Sequence, residues 1–170
     1  VQLDLSGIAK GFAVDRVAAV LESHGVTDYL VDIGGEMRTH GRKPDGRRWQ
    51  VGIERPDADS RTVFRTIELG DRAIATSGDY RNFFVYEGRR YSHTIDPGTG
   101  RPVTHQLSSV SVIADTAMTA DALATAIMVL GPDDGYELAR SRGLAVELIV
   151  HKGDGFGERW TPEFEPYRVG

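Results

Sequence analysis

Three runs decide the fold class: Glu36-Met37-Arg38-Thr39-His40, Arg48-Trp49-Gln50-Val51-Gly52-Ile53-Glu54 and Val63-Phe64-Arg65-Thr66-Ile67-Glu68-Leu69. Each mixes apolar or β-branched residues with polar ones at close to a two-residue period, as a half-buried strand does. They are separated by Pro44-Asp45-Gly46 and Pro56-Asp57 and followed by Gly70-Asp71, all turn chemistry. Strands that follow one another through turns pair antiparallel, whereas parallel pairing needs long helical crossovers. Further strands are expected at 28–33, 73–77, 108–114, 145–150 and around Trp160, with a hairpin of 82–86 and 90–95 about Glu87-Gly88. Helical spacing marks 8–24, closed by Gly25, and 116–130, where Leu123, Ile127 and Leu130 form a stripe that Gly131-Pro132 ends. A further helix covers 133–142. The pattern predicts an α+β fold, a largely antiparallel sheet with two helical clusters.

The 170 residues suffice for a single domain, 1–170, with a core of its own. A hydrophobic content of 40% and a charged content of 26% are ordinary for a globular chain. The net charge of -5 argues against a nucleic-acid partner, which calls for a basic face. The absence of cysteine removes thiolate chemistry and disulfides. No apolar run approaches the roughly 20 residues of a membrane span.

Several short segments carry reactive or ligating groups. Asp121 and Thr125 stand four apart on a helix, so both leave the same face, and the intervening alanines allow close approach. A carboxylate and a hydroxyl suit a hard cation such as Mg²⁺; a solvated aspartate on an alanine-rich helix fits that segment alone equally well. At the start of the first helix stand Asp4, Gly7 and Lys10. Gly7 brings main chain close to a ligand, and the helix start and Lys10 favour an anion; an ordinary helix cap is the alternative. Gly34-Gly35-Glu36 and Ser77-Gly78 stand at strand ends, each readable as a plain turn or bulge; Glu36 and Ser77 are the candidates there for ligand contact.

Among five histidines, His93 stands out. It lies in Ser92-His93-Thr94-Ile95-Asp96-Pro97-Gly98, at a strand end before a turn, and imidazole exchanges protons near neutrality. Asp96 is placed to orient it or hold its loop. Ser92, His93 and Asp96 are too close along one strand to form a hydrolase triad, and there is no Gly-x-Ser-x-Gly elbow. Phosphate-cradling P-loops and dinucleotide fingerprints are also absent.

Taken together and in order, five segments resemble the FAD:protein FMN transferase family, the ApbE-type flavin transferases. They are Asp4-Leu5-Ser6-Gly7-Ile8-Ala9-Lys10-Gly11-Phe12-Ala13, Asp32-Ile33-Gly34-Gly35-Glu36, Ala75-Thr76-Ser77-Gly78-Asp79-Tyr80, Ser92-His93-Thr94-Ile95-Asp96-Pro97-Gly98-Thr99-Gly100 and Ala120-Asp121-Ala122-Leu123-Ala124-Thr125-Ala126. The resemblance implies a T-fold-like architecture. It implies that FAD is split, its FMN half joined through phosphate to a Thr or Ser hydroxyl of an acceptor flavoprotein, and AMP released. The acceptor would carry a Ser/Thr-Gly-Ala-Thr-like motif. By motif, Asp4, Lys10 and Ile95 contact FAD; the Gly7 carbonyl, Asp121 and Thr125 hold Mg²⁺; His93 sits at the chemistry.

Family members have a sizeable region before the first of these motifs, so the chain is expected to be the later portion of a longer parent. Family membership is compatible with an extracytoplasmic, membrane-tethered parent and with a cytoplasmic one. Two other functions use the same residues: an FAD pyrophosphatase, with water replacing the acceptor hydroxyl, and a non-catalytic module that binds flavin nucleotides.

Overall fold

The computed structural model describes residues 4–57, 62–79, 83–86, 89–153 and 155–169. Helix α1 (Ala9–Ser23) leads into the hairpin of β1 (Tyr29–Ile33) and β2 (Glu36–His40). After it come β3 (Gln50–Glu54), β4 (Val63–Glu68), β5 (Ala73–Gly78), β6 (Phe83–Tyr86), β7 (Arg89–Ser92), β8 (Ile95–Asp96), β9 (Arg101–Pro102) and β10 (Leu107–Ala114). Helices α2 (Ala117–Leu130) and α3 (Asp134–Ser141), strands β11 (Ala145–Lys152) and β12 (Gly155–Trp160) and a 3-10 turn (Glu165–Tyr167) complete the chain.

One six-stranded sheet, ordered β1-β2-β5-β10-β11-β12, is antiparallel at every pairing. Its middle strand β10 is buried on both faces, because each face receives its own layer. Val110 and Val112 meet Ala120, Ala124 and Ile127 of α2 and Ala139 of α3. On the opposite face Ile113 and Ile149 meet Val51, Ile53, Ile67 and Phe164. The β3–β4 hairpin therefore lies across the sheet and forms no edge strand of it. Alternation revealed that it was half-buried; it could not reveal which surface the buried half meets. Arg65 reaches from this hairpin to Glu147 of β11, Nε to Oε1 at 2.9 Å, which compensates a carboxylate only 1% exposed. A third apolar cluster seats α1 through Val14 and Ala18 against Tyr29, Val31, Ala73 and Ala117.

Helix ends follow local chemistry. Gly25 at φ 78° closes α1: its N–H donates to the Glu22 carbonyl at 3.0 Å and that of Val26 to Leu21 at 3.1 Å. Gly131 closes α2 at φ 84°.

The segment 90–95 does not run as one strand. β7 stops at Ser92, and the expected turn at Pro97-Gly98 lies within a second small hairpin, in which β8 pairs with β9. The expected hairpin tip Glu87-Gly88, like Asn82 and Tyr80, lies outside the described residues. Among the described residues, no helix is long and apolar enough to cross a membrane.

Candidate functional site

A cavity of about 300 Å³ opens where the start of α1, the end of β5, the face of α2 and the 92–94 segment converge. Its walls include Ser6 and Lys10, Glu36, Ser77, His93, and Asp121 with Thr125. Five expected site residues thus share one cavity with a sixth, His93, although they are spread over more than a hundred positions of sequence.

The carboxylate of Asp121 is buried and its direction is set. Oδ2 accepts from the backbone N–H of Gly11 at 3.0 Å, in the first turn of α1. Helix α1 has no side-chain cap of its own, since Ile8 occupies the capping position. Asp121 thus supplies to α1 the acceptor that a local Ser or Asp provides elsewhere. One turn further along α2, Thr125 Oγ1 lies 3.3 Å from Ser77 Oγ. A Cβ built on Gly7 would stand 3.2 Å from the same Thr125 Oγ1, tighter than most real contacts, so the absence of a side chain at Gly7 lets that main chain approach the helix.

Lys10 Nζ bonds to Glu36 Oε1 at 2.6 Å, and Glu36 is 1% exposed. Burial pushes the Glu36 carboxyl up and the nearby Asp121 charge adds to that, while Lys10 pulls it down. Its second oxygen, Oε2, is buried with no hydrogen-bond partner. The cavity floor therefore holds two carboxylates against a single lysine, an acidic balance that a bound cation would relieve.

The backbone on either side of His93 is fixed. Thr94 N–H donates to Ser92 Oγ at 3.1 Å, and Val103 N–H to the Thr94 carbonyl at 3.0 Å. The Asp96 carboxylate accepts from Gly98 N–H at 2.8 Å and Thr99 Oγ1 at 3.0 Å, and its carbonyl from Gly100 N–H at 2.8 Å. Asp96 is thus occupied in its own turn. It lines a second depression and not the cavity that His93 lines. Asp4 and Ile95 do not line the cavity; each lies two or one residues from one that does. Asp4 is exposed, and hydrogen bonds from the Ser6 hydroxyl and N–H hold its carboxyl below the usual range.

The residues fit a hard cation better than a transition metal. Among the described residues, no three His, Asp or Glu side chains cluster. The cavity offers the Asp121 carboxylate and the Thr125 hydroxyl, besides the Glu36 carboxylate that Lys10 engages, and the Gly7 main chain stands beside Thr125; so small an oxygen set leaves room for water or phosphate oxygens, as Mg²⁺ prefers. Sequence reading passed over Asp15, which touches both helices of the site. The clue was the spacing: Gly7, Gly11 and Asp15 repeat at four residues, as do Ala117, Asp121 and Thr125.

Comparison with known proteins gives the family. The ApbE family model matches residues 1–149. A FAD:protein FMN transferase of Vibrio cholerae is 50% identical over 165 residues, covering 97% of this chain and 49% of that protein. One of Escherichia coli K12 is 42% identical over 167 residues, covering 98% and 48%. The solved Flavin Transferase ApbE from Vibrio cholerae superposes with a TM-score of 0.86 at 48% identity, covering 97% of this chain and 52% of that one. The chain spans about half the length of the relatives it matches. The α+β architecture is that of ApbE structures, and the chain belongs to the ApbE family.

Proposed function

We propose that this chain carries the metal and phosphate site of an FAD:protein FMN transferase, which moves FMN from FAD to a Thr or Ser hydroxyl of an acceptor flavoprotein and releases AMP. The single observation that carries this reading is the convergence of Asp121, Thr125, Lys10 and His93 on one cavity, with the Gly7 main chain packed close beside Thr125, in a chain of this family.

The acceptor hydroxyl oxygen bonds to the FMN-side phosphorus, the bond from that phosphorus to the bridging oxygen breaks, AMP departs, and the hydroxyl proton passes to a base. Such a step needs charge neutralised at phosphate and the reacting oxygens held in line. Asp121, Thr125 Oγ1 and the Gly7 carbonyl would hold Mg²⁺, which when bound supplies charge neutralisation at the pyrophosphate. Lys10 Nζ, anchored by Glu36, offers a fixed positive charge to the phosphate or to a flavin carbonyl. His93, at the cavity wall, takes the hydroxyl proton or orients the hydroxyl. Asp96 holds the loop that follows it. Asp4 and Ile95, which stand two and one residues along the chain from the cavity lining, are assigned to FAD contact.

The test is mass spectrometry of an acceptor domain bearing a Ser/Thr-Gly-Ala-Thr-like motif after incubation with this chain, FAD and Mg²⁺. A gain of one FMN phosphoester is the expected result. Conversion of FAD to FMN and AMP without that gain would replace the transferase reading by a pyrophosphatase. Intact FAD and unmodified acceptor would refute catalysis by this chain.

A further inference from the structure

Helices α1 and α2 cross antiparallel, and their contacts pair on four-residue steps: Gly7 with Thr125, Gly11 with Asp121, Asp15 with Ala117. The crossing is close because Gly11 lacks a side chain. A Cβ there would lie 2.3 Å from the Ala117 carbonyl oxygen. Each helix also caps the other. Asp121 of α2 accepts from Gly11 N–H of α1 at 3.0 Å. Asp15 of α1 accepts from the N–H groups of Ala117 at 3.0 Å and Met118 at 2.9 Å, the first two of α2. Thr116 Oγ1 takes the third, from Thr119, at 3.2 Å. Arg38 of β2 fixes Asp15 from behind, Nη1 to Oδ1 at 3.0 Å.

From this ladder we infer that Asp15 is a positioning residue for the site. Its carboxylate locks the register of α1 against α2, and the same register sets where Asp121 points and how near the Gly7 main chain stands to Thr125. Asp15 does not line the cavity, so it acts through Asp121 and Thr125 without touching a ligand. A one-sided cap would stabilise one helix. The reciprocal pair fixes the two helices relative to each other, because sliding either one breaks both caps at once. The inference deepens the metal-site reading above and rests on it for its functional consequence.

The test uses the full chain with Mn²⁺ alone as the probe, well below the melting temperature. Replacing a group that orients a metal ligand typically weakens affinity by about 10- to 100-fold. D15A is expected to fall in that range by Mn²⁺ electron paramagnetic resonance, with D15N, which keeps one acceptor oxygen, falling between it and wild type. Amide hydrogen exchange at Gly11, on the other helix, is expected to quicken at least about tenfold in both variants. I149V, in the core cluster on the far side of the sheet, controls for simple loss of stability and should leave Mn²⁺ affinity unchanged. If D15A does not fold, D15N decides. Unchanged Mn²⁺ affinity in D15N, with wild type binding normally, overturns the inference even if exchange quickens, since Asp15 would then be framework only. If wild type itself fails to bind Mn²⁺, the metal-site reading falls, and Gly11 exchange in D15N alone decides whether Asp15 sets the register.

Discussion

Gly11→Ala is the sharpest test of how the two site helices meet, because two physical arguments give it opposite signs. Judged as one residue of a helix, Gly11 should gain from the change, by about 0.5–1 kcal/mol, since glycine is the poorer helix former. The crossing says otherwise. The new Cβ would stand 2.3 Å from the Ala117 oxygen, 2.5 Å from its carbonyl carbon and 2.7 Å from the Met118 Cα. All three are backbone atoms and cannot swing aside. Ordinary contact begins at 3.4 Å, so the helices must part by roughly 1 Å. Overpacking of this kind costs about 1–3 kcal/mol. If the helices part instead, the 3.0 Å bond from Gly11 N–H to Asp121 is lost, a charge-assisted bond whose loss costs a similar ~1.5–3 kcal/mol. After the helix gain is set against either cost, the net destabilisation is about 1–2 kcal/mol. At roughly 2–4 °C per kcal/mol for a chain of this size, calorimetry should find Tm lower by about 3–6 °C. A Tm equal to or above wild type would refute close packing at Gly11 and the alignment of Asp121 that depends on it.

Three other substitutions bear on the account. Asp121→Ala should abolish any Mg²⁺-induced rise in Tm and also lower Tm without metal by a few degrees, since the α1 cap is worth about 1 kcal/mol; a retained Mg²⁺ shift would exclude Asp121 as a ligand. His93→Ala should slow FMN transfer by about 10²–10⁴-fold while leaving the Mg²⁺ shift in Tm intact, and a rate within about threefold of wild type would end its assignment as base. Burial holds the Glu147 carboxyl above its ordinary 4.5, with Arg65 opposing that shift. The folded state therefore binds more protons than the unfolded one just above pH 4.5, so this group's contribution falls as pH rises through that window. Urea unfolding should find the stability of wild type relative to E147Q declining as pH increases from about 4.5, and a difference that grows with pH would contradict the sign.

Much of the fold was legible because period and punctuation agree. Alternation gave β2, β3 and β4, and a 3.6-residue stripe closed by Gly131-Pro132 gave α2. The order of strands in the sheet was not legible. β2 pairs with β5 across the inserted β3–β4 hairpin, and what places that hairpin over the sheet is the fit of Ile53 and Ile67 onto Ile113 and Ile149 together with the Arg65–Glu147 ion pair. These are contacts between distant residues, which local pattern does not encode. At the site, the residue types that suit metal and phosphate were visible one motif at a time. Asp15 was not, because it reads as one exposed charge on an amphipathic helix until α2 is set beside it. Asp96 read equally as an orienter of His93 or as the holder of its loop, and only the hydrogen bonds of the 97–100 turn to its carboxylate favour the second.

The most direct test of the central claim is the anomalous difference map of a crystal of this chain soaked in Mn²⁺. The account predicts a peak in the cavity within about 2.5 Å of an Asp121 oxygen, Thr125 Oγ1 and the Gly7 carbonyl, the span of hard-cation bonds to oxygen. A cavity without a peak, with Mn²⁺ bound elsewhere on the chain, would contradict it.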